Sequence, residues 1–422
     1  MTFNALDYGI LIAYMLLILS IGLYVSRSKK GHKKNASDYF LAGKGLPWWI
    51  IGASIIASNI SAEQFIGMSG SGFAIGMGIA SYEFMGAITL ILVAVFFMPI
   101  FLKMGIFTMP EFLEKRYDKR VKTTMAIFWL AVFIFVNLAS ILYLGALTIK
   151  NVMFEGRDLM VMGNTVDPLW IGIVVLGVFA AAYSVSGGLM SVAITDVIQV
   201  VFLIGGGLVT TYIALQYLGE NGNVLDGFVT LTEKAPEKFD MILSKDNPQY
   251  INLPGISVLI GGMWVANLYY FGCNQYIIQR ALAAKSIKQA QSGLAFAGIL
   301  KLLLPLIVVI PGIVAFVITS DPASAHYNEI SKPDAAYPWL LHNFVPNGLK
   351  GLAFAALVAA IVSSLASMMN SISTIFTMDI YHGYIKKDAS QTRLVNVGKI
   401  TAAVALLIAI PTAIMLQNLD QA

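Results

Sequence analysis

The stretch ASNISAEQFIGMSGSG, residues 57–72, places polar residues inside a segment that is otherwise apolar enough to be a membrane helix. Asn59, Glu63 and Gln64 each cost free energy in hydrocarbon, and the glycine and serine residues that follow weaken a helix. Irregular backbone at membrane depth is tolerated only where the protein or a water-filled cavity surrounds it. The stretch therefore predicts an interrupted helix that lines a binding site within a membrane.

The composition is that of a protein with many membrane-spanning helices. Of the 422 residues, 58% are hydrophobic and only 12% are charged, which is too little polar surface for a soluble chain of this length. The apolar residues form blocks of roughly 20 residues, the length that crosses a bilayer as a helix. The single cysteine, Cys273, excludes a disulfide framework and a two-cysteine metal or redox motif.

Ten apolar blocks are expected to span the membrane, near residues 6–25, 46–70, 80–102, 123–147, 168–186, 190–216, 253–276, 292–318, 348–379 and 396–417. If the N-terminus faces outward, most of the 27 lysine and arginine residues, Arg280 among them, fall on cytoplasmic segments. Because positive charge is enriched in cytoplasmic loops, this pattern favours an extracellular or periplasmic N-terminus. Two longer outer segments, about 217–251 and 319–347, are expected to form caps with short helices.

The order of the spans contains a weak internal symmetry. After the first span, five spans are followed by four, and each group opens with an interrupted helix, SNISAEQFIG at 58–67 and ANLYYFGCNQ at 266–275. The first group has an odd number of spans, so the second group enters the membrane from the opposite side. Paired broken helices at matching positions predict an inverted-repeat transporter with its site near the bilayer midplane.

Ionisable side chains inside the spans are the first candidates for function, because a charge at the bilayer centre costs about 2.5–3.5 kcal/mol. Glu63, Glu83 and Lys301 cannot face lipid favourably, and we expect them to face a cavity or each other. Asp379 lies close to the polar end of its span and is expected to reach water. For Asp196 the sequence leaves both a helix-end and a functional position open.

The interrupted helix would offer oxygen atoms to a monovalent cation. Carbonyl groups at a helix break have lost their intrahelical donors, and hard cations such as Na⁺ prefer oxygen ligands. Ser363 and Ser364, in AAIVSSLASMMNS at 359–371, would add two hydroxyl groups. The alternative for these serines is hydrogen bonding to their own or a neighbouring helix.

Polar groups near the two breaks suit a polyhydroxylated solute. Hydroxyl groups both donate and accept hydrogen bonds, so a site for them combines amide, carboxylate and ammonium groups with an aromatic face. The polar candidates are Gln64, Glu83, Asn137, Asn267 and Lys301, and the aromatic candidates are Tyr82, Trp264, Tyr269 and Tyr270. For each aromatic residue, packing or an interfacial position is the alternative.

Long motifs along the chain resemble the solute:sodium symporter family. They are FLAGKGLPWW (40–49), ASNISAEQFIGMSGSG (57–72), SYEFMGAITL (81–90), FTMPEFLEKRY (107–117), YSVSGGLMSVAITDVIQV (183–200), VANLYYFGCNQYIIQRALAAK (265–285) and AAIVSSLASMMNSISTIFTMDIY (359–381). The similarity runs through the whole chain and is weakest in the two outer segments. It implies an all-α polytopic membrane protein with a five-plus-five inverted-repeat (LeuT-like) core preceded by one extra helix.

The resemblance also implies a division of the chain. Residues 1–44 would hold the extra helix and a cytoplasmic loop, 45–216 core helices one to five, 217–251 an extracellular loop, and 252–422 core helices six to nine. The tenth core helix and the helices that follow it in the family are expected to be missing from this chain. The family's tenth helix contributes a glutamine to the substrate and an aromatic residue to the outer gate.

Roles for individual residues follow from the same resemblance. The Na⁺ ligands would be the carbonyl groups of Ala57, Ile60 and Ala360 and the hydroxyl groups of Ser363 and Ser364. The substrate would contact Gln64, Glu83, Asn137, Asn267, Lys301 and Tyr270, and Tyr270 would also act as the inner gate. Met68 and Tyr82 would belong to the outer gate, Asn59 would couple substrate to ion, and Asp196 would lie on the Na⁺ exit path. Gly86 departs from the family members that carry galactose, which have a substrate-contacting serine there.

The function implied is Na⁺-coupled import of a hexose, galactose or glucose, by alternating access across a bacterial plasma membrane. Na⁺ would be the coupling ion, with no other cofactor, and the partners would be the sugar and the lipid bilayer, not nucleic acid. The alternative is a Na⁺ symporter of the same fold for an amino acid, vitamin, carboxylate or polyol, although Glu83 disfavours an anion. An enzyme is not favoured, because the chain contains neither HExxH nor GxSxG. A passive channel would take up solute without a Na⁺ gradient.

Overall fold

The computed structural model describes residues 4–27, 33–154, 156–161 and 163–417, and most of these residues are helical. The α-helices, numbered in chain order, are α1 Ala5–Ser26, α2 Ala36–Phe40, α3 Trp48–Asn59, α4 Ala62–Ala74, α5 Ser81–Leu92, α6 Met98–Met104, α7 Met109–Arg116, α8 Lys119–Ala131, α9 Ala139–Met153, α10 Pro168–Gly187, α11 Leu189–Leu218, α12 Val224–Lys234, α13 Ile256–Ile260, α14 Met263–Leu268, α15 Gln275–Leu282, α16 Ile287–Leu304, α17 Ile310–Ser320, α18 Ala336–Asn343, α19 Leu349–Ile375 and α20 Gln391–Leu416.

Shorter elements join or extend these helices. The π-helical segments are Val93–Phe97, Val132–Leu138, Tyr269–Cys273, Pro305–Val309 and Phe376–Ile385. The 3₁₀ turns are Ala42–Lys44, Met77–Ala80, Glu220–Gly222, Pro236–Phe239 and Pro333–Ala335. One small antiparallel hairpin pairs strand β1, Leu159–Val161, with strand β2, Asn164–Val166.

Within the described residues, eight continuous helices are long and apolar enough to cross a membrane. They are Ala5–Ser26, Met77–Met104, Lys119–Met153, Pro168–Gly187, Leu189–Leu218, Ile287–Ser320, Leu349–Ile385 and Gln391–Leu416. The other two predicted spans are the interrupted helices α3–α4 and α13–α14–α15. The prediction of an all-helical polytopic protein is therefore confirmed, as are the short helices in both outer segments, α12 and α18.

Both predicted interruptions are present. Helix α3 ends at Asn59 because Ile60 (φ −85°, ψ 116°) and Ser61 (φ −111°, ψ 177°) have extended backbone, and α4 begins one residue later. The second interruption falls at Asn274 (φ −78°, ψ 118°), which separates the Tyr269–Cys273 segment from α15. The Asn274 side chain accepts a hydrogen bond from the Tyr276 amide (3.2 Å) and so caps the restarted helix.

One sequence expectation about a charged residue is wrong. Asp379 does not reach water; it is 1% exposed, accepts a hydrogen bond from Thr108 (2.9 Å) and lies 3.5 Å from the Lys122 ammonium group. Arg280, which follows the predicted span 253–276, is also buried completely, because α15 continues to Leu282. Each of these two charges has a buried partner of opposite charge.

Small residues bring α4 close to α17. A β-carbon built on Gly72 would lie 2.5 Å from the Val309 carbonyl oxygen, and one built on Gly312 would collide with the Ser69 carbonyl. Small residues at helix interfaces allow such backbone approach in membrane proteins. The sequence MSGSG after the first break therefore packs α4 against the segment Pro305–Val309 and α17.

Helix α19 lies at the centre of the bundle and is buried over nearly all its length. Its N-terminus is held by α1: one carboxylate oxygen of the buried Asp7 accepts hydrogen bonds from the amides of Gly348 (2.7 Å) and Gly351 (2.9 Å). A carboxylate is favourable at a helix N-terminus, where amide groups lack partners. The first helix thereby fixes the helix that carries Ser363 and Ser364.

Candidate functional site

An ion pair between α5 and α16 forms the centre of the first polar cluster, called the Glu83 cluster below (Asn59, Gln64, Glu83, Tyr270 and Lys301). The Glu83 Oε2 atom lies 2.5 Å from the Lys301 Nζ atom, and both side chains are 3% exposed. Glu83 Oε1 accepts a hydrogen bond from Gln64 Nε2 (2.5 Å) on α4. Removing either partner of such a buried pair would leave an uncompensated charge, so pairing is what permits both residues at membrane depth.

The residues of the two helix breaks meet in the same cluster. Lys301 Nζ donates to Asn59 Oδ1 (2.7 Å) at the first break, and Asn59 Nδ2 donates to the Tyr270 hydroxyl (3.4 Å) beside the second break. The Tyr270 ring packs edge-on against Phe271, with ring centroids 5.0 Å apart. Asn59 therefore links the ammonium group of α16 to the aromatic residue that precedes α15.

Gly86 leaves room for the Lys301 side chain. A β-carbon built on Gly86 would lie 2.6 Å from Lys301 Cε and 3.2 Å from the Phe271 ring. Gly86 is three residues after Glu83 on α5, so it lies on the same helix face. The absence of a side chain at this position lets Lys301 pass across α5 and reach the carboxylate.

A second polar cluster, the Ser364 cluster (Ser58, Tyr276 and Ser364), lies where α19 contacts the first break. Ser364 Oγ donates to the Ser58 carbonyl oxygen (3.2 Å), the Tyr276 hydroxyl donates to the same oxygen, and Tyr276 OH lies 3.4 Å from Ser364 Oγ. The last carbonyl groups of α3 have no helical donor because Ile60 and Ser61 are extended. The hydroxyl groups of Ser364 and Tyr276 supply donors to one of these carbonyl groups, that of Ser58.

A buried carboxylate continues the Ser364 cluster. Asp196 accepts hydrogen bonds from Ser363 Oγ (2.6 Å) and Ser54 Oγ (2.5 Å). The guanidinium group of Arg280 lies 3.7 Å from Asp196 Oδ2, and its Nε donates to Ser54 Oγ (2.9 Å). Asp196 and Arg280 are both fully buried. Asp196 on α11 and Arg280 on α15 thus reach α19 through Ser363, the residue that precedes Ser364.

The structure places the predicted ion ligands in the interior of the bundle. The five residues assigned to Na⁺ are all fully buried: Ala57, Ile60, Ala360, Ser363 and Ser364. Ser364 approaches the end of α3, where Ala57 lies, whereas the Ser363 hydroxyl is directed to Asp196. Sequence reasoning did not identify Ser54, Tyr276 or Arg280 as neighbours of this site.

Of the other predicted substrate and gate residues, only Met68 has a hydrogen-bonding contact with the Glu83 cluster in the described residues. Within the described part of the chain, the buried Asn267 Nδ2 atom donates to no group, and Asn137 in the Val132–Leu138 segment has no hydrogen bond to the cluster. Met68 Sδ lies 3.2 Å from Gln64 Nε2. Tyr82, next to Glu83, packs partly buried against the core.

Comparison with known proteins identifies the family of the chain. The profile of the Sodium:solute symporter family matches residues 39–420. The chain is 54% identical to a sodium/glucose cotransporter of Vibrio parahaemolyticus, over 99% of this chain and 76% of that protein. It is 35% identical to sodium/myo-inositol cotransporter 2 of Mus musculus, over 96% of this chain and 60% of that protein. The chain thus spans 76% of the length of the first relative and only 60% of the length of the second.

Solved structures give the same result for the fold. A Na⁺-coupled sialic acid symporter in a substrate-bound outward-open state superposes with a TM-score of 0.82 and 27% identity, over 99% of this chain and 82% of that one. A nucleobase-cation-symport-1 family transporter superposes with a TM-score of 0.55 at 14% identity, over 91% of this chain and 77% of that one, which shows a shared fold. The core therefore has the LeuT-like inverted-repeat fold, and the relatives are transporters, not enzymes. The chain belongs to the sodium:solute symporter family.

Proposed function

We propose that the protein is a Na⁺-coupled symporter that imports a hexose, galactose or glucose, by alternating access. The observation that carries the proposal is that two consecutive residues at the first break, Ser58 and Asn59, belong to different polar clusters. The Ser58 carbonyl belongs to the Ser364 cluster, whereas the Asn59 side chain belongs to the Glu83 cluster. A change in the backbone at one residue therefore alters both clusters, which is what coupling between ion and solute requires.

Na⁺ binds, in this proposal, between the first break and α19. The ligands are the carbonyl groups of Ala57, Ile60 and Ala360 and the hydroxyl groups of Ser363 and Ser364. Support comes from the complete burial of all five residues and from the Ser364 hydroxyl, which already contacts the end of α3. Oxygen atoms in a dry site suit a hard monovalent cation. Asp196, hydrogen-bonded to Ser363, lies next to this site and lines the proposed exit path.

The sugar binds, in this proposal, at the Glu83 cluster together with Asn137 and Asn267. The carboxylate, ammonium and amide groups are already hydrogen-bonded to one another. A sugar hydroxyl both accepts and donates, so it can insert between these groups while the net charge of the site stays zero. An anionic solute would instead face the Glu83 carboxylate, which disfavours that class.

Transport requires that access alternates between the two sides of the membrane. Tyr270 is proposed as the inner gate, Met68 and Tyr82 as part of the outer gate, and Asn59 as the residue that couples them. Asn59 supports this assignment because it contacts both Lys301 and Tyr270. Moving one positive charge inward contributes about 2.3 kcal/mol per 100 mV of membrane potential. Each ligand must bind one state more tightly than the other for this energy to drive uptake.

The setting proposed is a bacterial plasma membrane with the N-terminus extracellular or periplasmic. The division into residues 1–44, 45–216, 217–251 and 252–422 is part of the same proposal. It is supported by the positions of the two interrupted helices, α3–α4 and α13–α15, near the beginning of each proposed repeat.

A polyol is the second candidate substrate. The mouse relative is a sodium/myo-inositol cotransporter, and a cyclic polyol presents hydroxyl groups much as a hexose does. The Vibrio relative, at 54% identity, favours the hexose.

Competition against labelled galactose distinguishes these substrates. We expect the full-length protein in vesicles to take up galactose under an inward Na⁺ gradient, with unlabelled galactose and glucose competing more strongly than myo-inositol, proline or sialic acid. Competition by myo-inositol but not by glucose would establish the polyol. Equal uptake without a Na⁺ gradient would contradict symport.

A further inference from the structure

A groove of about 470 Å³ lies where the long helix Met77–Met104 meets α7. It is lined by Phe96, Phe97, Ile100, Phe101, Met104, Phe112, Lys115 and Arg116. Its walls are therefore apolar and aromatic except at one end, where the two basic residues lie. None of these residues takes part in the Glu83 or Ser364 clusters.

The apolar wall is continuous with a surface that faces lipid. Phe96 is 62% exposed and Ile100 53% exposed, and the same helix also exposes Ile88, Ile91 and Val95. These residues follow one face of a helix that is long and apolar enough to span the membrane. A lipid acyl chain lying against this face reaches the groove without crossing any polar surface.

The basic end of the groove has an uncompensated positive charge. Lys115 is partly satisfied, since its ammonium group lies 3.2 Å from Glu111 Oε1 and donates to the Met104 carbonyl (2.7 Å). Glu114 is engaged with Lys122 (2.7 Å). Across the part of the chain that the structure describes, no acceptor or carboxylate contacts the Arg116 guanidinium group. Among the described residues, the Arg116 guanidinium group therefore has no anionic partner, and it lies beside an apolar groove.

Position along the membrane normal fits a lipid headgroup. The membrane-length helix Met77–Met104 ends beside α7, since the Lys115 ammonium group donates to the carbonyl of its last residue, Met104 (2.7 Å), and Tyr117, which follows Arg116, is 66% exposed. Exposed tyrosine and basic residues at the ends of membrane helices are typical of the headgroup level. A basic pocket at this level beside an apolar surface is the arrangement that binds anionic lipid headgroups.

We propose that this groove, called the α7 groove, binds an anionic phospholipid such as phosphatidylglycerol. The phosphodiester group accepts hydrogen bonds from Arg116, whose planar guanidinium group suits two phosphate oxygens, and from Lys115. One acyl chain lies along Phe96 and Ile100. The lipid would brace the short helix α7 against the end of the Met77–Met104 helix.

Native mass spectrometry of the full-length protein tests this proposal. The protein is released from bilayers that contain equal amounts of phosphatidylglycerol and phosphatidylcholine, and the retained lipid is counted for the wild type and for Arg116→Gln. We expect the wild type to retain phosphatidylglycerol several-fold over phosphatidylcholine and Arg116→Gln to lose most of that preference. Arg116→Lys, which keeps the charge without the planar group, should retain an intermediate preference.

The matched control is Arg120→Gln, an exposed arginine on α8 that does not line the groove. It should retain phosphatidylglycerol as the wild type does, which separates a site from general attraction to positive charge. Equal retention of the two lipids by the wild type would overturn the proposal. So would a preference that is unchanged in Arg116→Gln or lost equally in Arg120→Gln.

Discussion

At the scale of single residues, the buried ion pair of Glu83 and Lys301 is the feature with the largest energetic consequence. Each partner is 3% exposed, so neither charge can find water if the other is removed. Replacing one partner of a buried pair typically costs about 3–5 kcal/mol, whereas replacing both by neutral groups costs much less. The pair therefore determines stability as well as the chemistry offered to a solute.

This pair gives the first prediction. Glu83→Gln and Lys301→Met should each lower the thermal unfolding temperature of the purified protein strongly, because each leaves a buried charge unpaired. The double variant should recover much of the loss, since the unpaired charge is gone. Differential scanning fluorimetry in detergent measures all three, and losses that simply add in the double variant would contradict the pairing.

Gly86 gives the second prediction. Gly86→Ala would place a methyl group 2.6 Å from the present position of Lys301 Cε, so the lysine must move away from Glu83. We expect the Michaelis constant for galactose to rise several-fold and stability to fall by about 1–3 kcal/mol, as overpacking generally does. Gly205→Ala is the control, because no heavy atom lies within 4 Å of its built β-carbon. Equal kinetics for the two variants would show that space at Gly86 is not important.

At the scale of elements, helix α4 is held at its C-terminal end by the segment that follows α12. The buried Lys238 ammonium group donates to the carbonyl oxygens of Phe73 (2.9 Å) and Ala74 (2.8 Å). Burial lowers the pKa of Lys238 below its ordinary value. Gly76 (φ 98°) makes this approach possible, because a β-carbon there would collide with the Lys238 carbonyl. Lys238 is a positioning residue for the helix that carries Gln64 and Met68.

The third prediction concerns this contact. Lys238→Met should destabilise the protein by about 1–3 kcal/mol, because it leaves helix-end carbonyl groups without donors. Lys234→Met is the matched control: its ion pair with Asp321 (3.0 Å) is exposed to solvent, so its loss should change stability little. Thermal unfolding of both variants provides the comparison. A loss no larger in Lys238→Met than in Lys234→Met would remove the positioning role.

The same elements show what a sequence can and cannot predict. Both helix breaks were predictable, since Asn59, Ser61 and Asn274 bring local signals of interruption into apolar segments. The position of Arg280 was not, because an arginine beyond an apolar block looks like a loop residue until α15 is seen to continue. Its partner Asp196 is on α11, and only the packing of α3, α11, α15 and α19 brings the two together.

The candidate site was predictable to a similar extent. Glu83 and Lys301 stood out as charges in apolar spans, and the expectation that they would face a cavity or each other agrees with their ion pair. The hydrogen bonds of Tyr276 to Ser58 and of Ser54 to Asp196 were not predictable, because serine and tyrosine are common in membrane helices. A carboxylate in an apolar span indicated that Asp196 must be paired or hydrogen-bonded, but the sequence did not indicate which residues would be its partners.

At the scale of the whole molecule, the two clusters share the first break while their remaining residues come from different parts of the bundle. Glu83 and Lys301 lie on α5 and α16, whereas Ser364 lies on α19, which Asp7 of α1 holds at its N-terminus. Relative movement of these parts would change both clusters together. In the proposed mechanism Na⁺ stabilises the arrangement in which the sugar site is formed, and its loss to the cytoplasm releases Tyr270.

The most direct test of this mechanism is Na⁺-driven galactose accumulation in proteoliposomes that contain the full-length protein. Ser364→Ala removes a proposed ion ligand. Ser373→Ala is the control, because Ser373 lies on the same helix, α19, but its hydroxyl donates to the Gly398 carbonyl on α20 (2.7 Å). We predict that the wild type and Ser373→Ala accumulate galactose under an inward Na⁺ gradient. In Ser364→Ala the affinity for Na⁺ should fall about tenfold or more, a loss of about 1.4 kcal/mol or more, and galactose accumulation should fall strongly as a consequence. Accumulation by Ser364→Ala at the wild-type level and with the wild-type dependence on Na⁺ would contradict the proposed ion site.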